Sequence, residues 1–448
     1  MNKDLTKGPI TKTMMLFVLP MIAGNLLQQC YNITDTLIVG QFLGPDALAA
    51  VGTAYTLMTF LTSVLLGLSM GAGALFSIYY GKGDDVRLKS AILHAFGLIF
   101  ILSLGFNIAA YLSIDKMLSF LNVPIEVYAL MREYLWIIFA GISATFLYNF
   151  FACLLRAIGN SVAALIFLCF SACVNIGLDL LFVLIFHWGV GGAAAATVLA
   201  QFSAGIGITL YTFVNYTELH PSRKDFYWNK RILQEIFNLS ILTCVQQSVM
   251  NFGILMVQGL VNRFGPVIMA AFAAAVKIDS FAYMPVQDFG NAFSTFAAQN
   301  YGAGKFDRIQ QGIKKSIQLT LLFCTGVSMA VIFFAKPLLL LFVHPQETAI
   351  LAVGVQYLRV VGIFYGGIGC LFLLYGLYRA LRRPGMSVIL TVISLGTRVI
   401  LAYFLAPLTG VVGIWAAIPI GWLLADTIGI TYYIKHRQLL LKPAESDT

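Results

Sequence analysis

The chain has 448 residues, of which 59% are apolar and only 10% charged, and its mean hydropathy is +0.86. An ordinary soluble domain carries about 25% charged residues, so this composition excludes a water-soluble enzyme and a disordered protein. The net charge of +9 comes from basic residues dispersed along the chain, not gathered in the single patch that nucleic acid would need.

In chain order, residues 1–12 are polar and basic. The first apolar run contains Pro20 and continues to Phe42; it is too long for a secretory signal and holds Gln28, Gln29 and Asn32, so it reads as a retained span. A helix needs about 20 apolar residues to cross the hydrocarbon core. Twelve runs qualify, at roughly 14–42, 47–80, 88–113, 127–157, 161–186, 190–215, 232–263, 267–300, 310–334, 347–379, 385–406 and 411–434. With both termini inside, 21 of the 28 Lys and Arg residues fall on the cytoplasmic side and 5 outside, with Lys277 and Arg398 within spans. That is the asymmetry of the positive-inside rule. The expectation is an all-α polytopic protein of the cell (inner) membrane with 12 transmembrane helices and cytoplasmic termini. The seven cysteines all fall in apolar runs, which argues against a disulfide framework.

The two halves repeat. Leu43-Gly44-Pro45 returns as Phe264-Gly265-Pro266, and Tyr80-Gly81-Lys82-Gly83 as Tyr301-Gly302-Ala303-Gly304, both shifted by 221. Glu133-Tyr134-Leu135 matches Gln356-Tyr357-Leu358, and Arg156-Ala157 matches Arg379-Ala380, both shifted by 223; Gly189-Val190 matches Gly410-Val411 at 221. Six spans per half keep the orientation, so the halves are parallel repeats, as in transporters that rock two lobes around a central site. The expected division is an N-lobe at 1–216, a cytoplasmic linker at 217–231, a C-lobe at 232–437 and a tail at 438–448.

Ionisable side chains within spans are costly and default to function. Here they are Asp35, Asp179, Lys277, Asp279, Asp288, Arg398 and Asp426. Asp35 precedes the Gly44 turn by 9 residues, Asp179 precedes His187 by 8 and Thr197 follows Gly189 by 8. At 1.5 Å per residue all three lie about 12–14 Å below the outer turns. Asn175 shares a helix face with Asp179. Two carboxylates, an amide oxygen and a hydroxyl at one depth suit a proton or a small hard cation such as Na⁺; separate structural aspartates are the plainer alternative. On the first span Gln28, Tyr31 and Asp35 form one polar stripe, and Pro20 removes a backbone hydrogen bond, so a kink is expected. The second half offers Gln246, Gln247, Asn251, Gln258, Lys277, Asp279 and Asp288, for which structural pairing and substrate contact both remain open. Gln247, Asn251 and Lys277 are its candidates for the substrate cavity, and Arg398 with Asp426 is a candidate interhelical pair. Gly302-Ala303-Gly304-Lys305 lacks phosphate-loop spacing, so no nucleotide site is expected. Five scattered histidines make no metal pair, and no reactive cluster points to an enzyme. The glycines of 67–73 suit close helix packing.

Asp35-Thr36 with Gly40, Leu154-Leu155-Arg156-Ala157-Ile158-Gly159-Asn160, Asn175-x₃-Asp179, Gly192-Ala193-Ala194-x₂-Thr197 and Gln299-Asn300-Tyr301-Gly302-Ala303-Gly304 occur in order. Together they resemble the multidrug and toxic compound extrusion (MATE) family over residues 8–437. The resemblance implies a V-shaped pair of six-helix lobes exchanging H⁺ or Na⁺, without a cofactor, for small amphipathic and often cationic compounds. It implies a monomer surrounded by membrane lipids. It places the cation on Asp35, Asn175, Asp179 and Thr197, with the Ala193 carbonyl as a further ligand, and puts Gln28, Tyr31, Tyr134 and Asn149 around the first-lobe cavity. Span 7 has no interior Glu, which favours the DinF-like over the NorM-like branch. A flippase for a lipid-linked saccharide, from the same superfamily, is the alternative.

Overall fold

A computed structural model describes residues 4–120, 123–220 and 229–441; the middle of the expected linker and most of the expected tail, 221–228 and 442–448, lie outside them. Among the described residues the chain is helical throughout. In the first half the helices are α1 (Ile10–Phe42), α2 (Pro45–Lys82), α3 (Asp85–Leu112), α4 (Ile114–Phe120), α5 (Ile125–Ile138), α6 (Ile142–Ala157), α7 (Val162–Asp179) and α8 (Gly189–Asn215). The second half has α9 (Lys230–Asn262), α10 (Pro266–Gly302), α11 (Phe306–Phe333), α12 (Ala335–Leu339), α13 (Thr348–Gly362), α14 (Tyr365–Ala380), α15 (Pro384–Thr409) and α16 (Val411–Leu440). Among the described residues, eleven stretches are long and apolar enough to cross a membrane, or twelve when α13 and α14, bent by 52°, count as one span.

The repeat is written in the backbone. Gly44 and Gly265 have φ of 88° and 93°, a conformation open to glycine and costly for other residues. Each precedes a proline at the first turn of a helix, where proline loses no hydrogen bond. The short helices α4 and α12 begin at Ile114 and Ala335, equivalent places in the two halves. The fourth span is interrupted by a 3₁₀ turn at Phe139–Gly141, and the tenth by the break after Gly362, the position that the repeat pairs with Phe139. One feature has no counterpart: Leu180–Ile185 forms a π-helix directly after Asp179.

The helices cluster into two compact units. Unit 1 holds Met1–Asp4 and Leu19–Cys244; unit 2 holds Leu5–Val18 and Val245–Thr448. These boundaries differ from lobes cut at the linker. The leading turns of α1 cluster with unit 2, those of α9 with unit 1, and α1 changes unit beside Pro20. The packing within each unit explains this. In unit 1, a Cβ on Gly71 would fall inside contact with the backbone of Leu239 and Ser240, so the glycines of α2 let α9 approach to backbone contact. Tyr79 Oη donates to Glu235 at 2.8 Å, and the Asn229 amide donates to His94 Nε2 at 3.2 Å. In unit 2, the strap before α1 is clasped by the end of α10. Leu5, with no exposed surface, donates its amide to Gln299 Oε1 at 3.1 Å. Its carbonyl accepts from Asn300 Nδ2 at 3.2 Å. Lys305 donates to the Thr6 carbonyl at 2.8 Å, and Arg308 to the Lys7 and Gly8 carbonyls at 2.8 Å each and to the Leu5 carbonyl at 3.2 Å.

Candidate functional site

Unit 1 brings the expected carboxyls together. Asp35 on α1 and Asp179 at the end of α7 stand within side-chain hydrogen-bonding reach of each other. Asn175, one turn before Asp179, donates its Nδ2 to Thr197 Oγ1 on α8 at 3.3 Å, joining two helices whose residues depth alone had grouped. Asp179 is fully buried, and Asn175 and Ala193 are each 1% exposed. Four oxygens at this place have no hydrogen-bond partner among the described residues: Asp35 Oδ1, Asn175 Oδ1 and both Asp179 oxygens. Carboxylate oxygens only accept, so two carboxyls can share a hydrogen bond only if one carries a proton. The donor set is oxygen alone, which fits H⁺ or a hard cation such as Na⁺. No group of three or more His, Cys, Asp or Glu residues able to hold a metal occurs among the described residues. The π-helix begins at the residue after Asp179. Such segments wind the backbone wider than an α-helix and are frequent at functional positions; hydropathy carries no signal for one.

Tyr31, Gln28 and Tyr134 surround this pair. Gln28 hydrogen-bonds Tyr31, and Tyr134 on α5 lies close enough to Asp35, Asp179 and Tyr31 to interact with each. Asn149 on α6 is half-buried, and its Nδ2 donates to Thr145 O on its own helix at 2.9 Å. Pro20 lies inside α1, which runs through it as one helix.

Unit 2 builds a different arrangement. Asp279 on α10 accepts from Tyr357 Oη on α13 at 2.6 Å and from Tyr365 Oη on α14. Arg398 on α15 interacts with Asp279, Tyr357 and Tyr283, and not with Asp426, correcting the expected pairing of the two. The repeat gives the reason: Tyr357 matches Tyr134 at an offset of 223, and Arg398 stands where unit 1 has Asn175. The tyrosine serves a carboxyl in both units, while a guanidinium replaces the amide in one. Trp415 stacks on Phe272 at 5.4 Å and meets Tyr357 edge-on at 4.8 Å, closing the network off with aromatic rings. The sequence signal for the Asp279 network was the repeated tyrosine. Lys277 is exposed and lies 5.8 Å from the Phe342 ring centroid, in a pocket that includes His344 and Glu347. Gln247 is buried at 6% exposure and Asn251 is half-buried.

Two repeated sets of apolar helices that bury a carboxyl pair define a membrane transporter of the two-lobe kind. The MatE family profile matches residues 20–181 and 241–404, and the chain belongs to the MATE family of multidrug efflux transporters. It is 30% identical to a "Probable multidrug resistance protein YpnP" of Bacillus subtilis over 392 residues, 87% of each chain. It is 26% identical to "Probable multidrug resistance protein YoeA" of the same organism over 96% of this chain and 94% of that one. A solved MOP-superfamily transporter of Pyrococcus furiosus superposes with a TM-score of 0.92 at 23% identity, covering 99% of both chains. Members of this family are transporters rather than enzymes.

Proposed function

We propose that the protein is a secondary antiporter of the cell membrane, acting as a monomer with cytoplasmic termini, that exports amphipathic and often cationic compounds in exchange for H⁺ or Na⁺. The observation that carries this reading is the set of four unpartnered oxygens on Asp35, Asn175 and Asp179. Two carboxylates within reach of each other in a low-dielectric interior repel and lose solvation, so the pair is unfavourable on its own and a bound cation relieves it. A cation that binds one conformation of unit 1 better shifts the population toward that conformation by its differential affinity. Thr197 and the Ala193 carbonyl complete the ligand set. Tyr31, Gln28 and Tyr134 line the adjoining cavity, and Gln247, Asn251 and Lys277 are second-half candidates for substrate contact. A site in unit 1 favours the DinF-like branch. The curated relatives named as multidrug resistance proteins support drugs as the cargo class.

The test is dye efflux from everted vesicles with Na⁺ and pH gradients imposed separately. Asp35→Asn and Asp179→Asn each abolish gradient-driven export while the amount of folded protein in the membrane is unchanged. Unchanged export in either variant sinks the reading.

A further inference from the structure

We propose that Asp426 is a second proton-carrying carboxyl, located in unit 2, that takes up and releases a proton during transport. Its role in the cycle rests on the antiport reading above; its proton does not. Asp426 lies on α16 at 6% exposure. Its Oδ1 is buried without a hydrogen-bond partner, and no ion pair reaches it among the described residues. A carboxylate with one oxygen so placed loses hydration there without a hydrogen bond in exchange. The neutral acid is therefore the form that this environment stabilises, and an intramembrane acid of this kind defaults to function.

A Cβ on Gly367 of α14 would stand 3.8 Å from Asp426 Oδ2 and 3.5 Å from Trp422 Cβ, ordinary contact distances, so α14 passes directly against this face of α16. The same crossing exists in unit 1, where Gly205 and Ala144 occupy the positions offset by 221 and 223. There a Cβ on Gly205 would lie 2.8 Å from the Ala144 carbonyl oxygen. Unit 1 thus needs a glycine at this crossing, whereas unit 2 carries an acid at the equivalent position. Gly367 also sits in the first turn of α14, next to the 52° bend after α13, a place where a conformational change would alter access. The titratable groups facing Asp426 are the Cys370 thiol and the Tyr375 phenol of α14; the packed faces of α13 and α15 add none that interacts with it among the described residues. A hard metal ion takes several oxygen ligands, more than one carboxyl beside a phenol and a thiol supplies, so the cation proposed is H⁺.

The experiment is infrared difference spectroscopy of the full-length protein in lipid nanodiscs, between acidic and alkaline buffer. The Asp35→Asn/Asp179→Asn double variant keeps a protonated-carboxyl band that disappears on alkalinisation, and adding Asp426→Asn or Asp426→Gly removes it. Asp426→Gly restores the residue of unit 1 and serves if the asparagine fails to fold. A band retained in both triple variants, or absent from the double variant, overturns the proposal. In vesicles, Asp426→Asn lowers pH-driven dye efflux at least tenfold, and an unchanged rate overturns its part in the cycle. If wild-type efflux ignores both gradients, the antiport reading fails while the infrared result still decides the proton on Asp426.

Discussion

Replacing Arg308 by alanine loosens the strap that precedes α1. The guanidinium bonds the exposed Lys7 and Gly8 carbonyls and the part-buried Leu5 carbonyl. A hydrogen bond contributes about 0.5–1.5 kcal/mol net, more with a charged donor and less where water competes. Leu5 O keeps its Asn300 donor, so no carbonyl is orphaned, and the three bonds together contribute about 2–3 kcal/mol to docking. At about 1.4 kcal/mol per factor of ten, the undocked fraction rises roughly 30- to 150-fold. The Leu5 amide, bonded to Gln299 Oε1 in a fully buried residue, reports this directly, because its exchange follows the population of the open form. Hydrogen–deuterium exchange of the N-terminal peptide should accelerate by that factor, with Arg308→Lys falling between. A change below about threefold in a folded variant would refute the assignment of Arg308 as the clasp.

Gly71→Ala forces α9 away from α2 in unit 1, since the added methyl meets backbone that cannot rotate aside. Overpacking of this kind costs about 1–3 kcal/mol, and a fall of several degrees in the melting temperature of the purified protein checks it. Tyr365→Phe removes one of the two tyrosine donors to Asp279. The buried carboxylate then loses about 1–3 kcal/mol, visible as a lower melting temperature, whereas the same change at the exposed Tyr403 leaves it unaltered.

Much of the fold was legible because lipid makes the span itself an apolar word of fixed length, and because the repeat announces itself at Gly44-Pro45 and Gly265-Pro266. The first-unit site was legible through depth: Asp35, Asn175, Asp179 and Thr197 have a definite distance from the outer turns, and helix rise converts spacing into height. Rotation about each helix axis was not. A helix in lipid is apolar toward both its neighbours and the bilayer, so hydropathy does not say which way Asn149, Lys277 or Arg398 points. The pairings of Asp279 with Tyr357 and of Leu5 with Gln299 join distant parts of the chain. They depend on those rotations and on backbone approach. The π-helix after Asp179 leaves no compositional trace, since its leucines and phenylalanine suit an α-helix equally well.

The crossed membership of α1 and α9 bears on how the chain is made. Leu5–Val18 is synthesised ahead of the spans of unit 1 yet belongs to the unit completed last, while unit 1 stays incomplete until Lys230–Cys244 has been made. Contacts between widely separated parts of a chain close slowly, and domains emerging during synthesis normally fold one after the other. Here neither half can finish as an independent product. Two fragments expressed from a cut at 221–228 would each lack a stretch held by the other, so they should become stable only when co-expressed. Assembly of the two halves is thus a single event, sealed at both ends by segments that change hands.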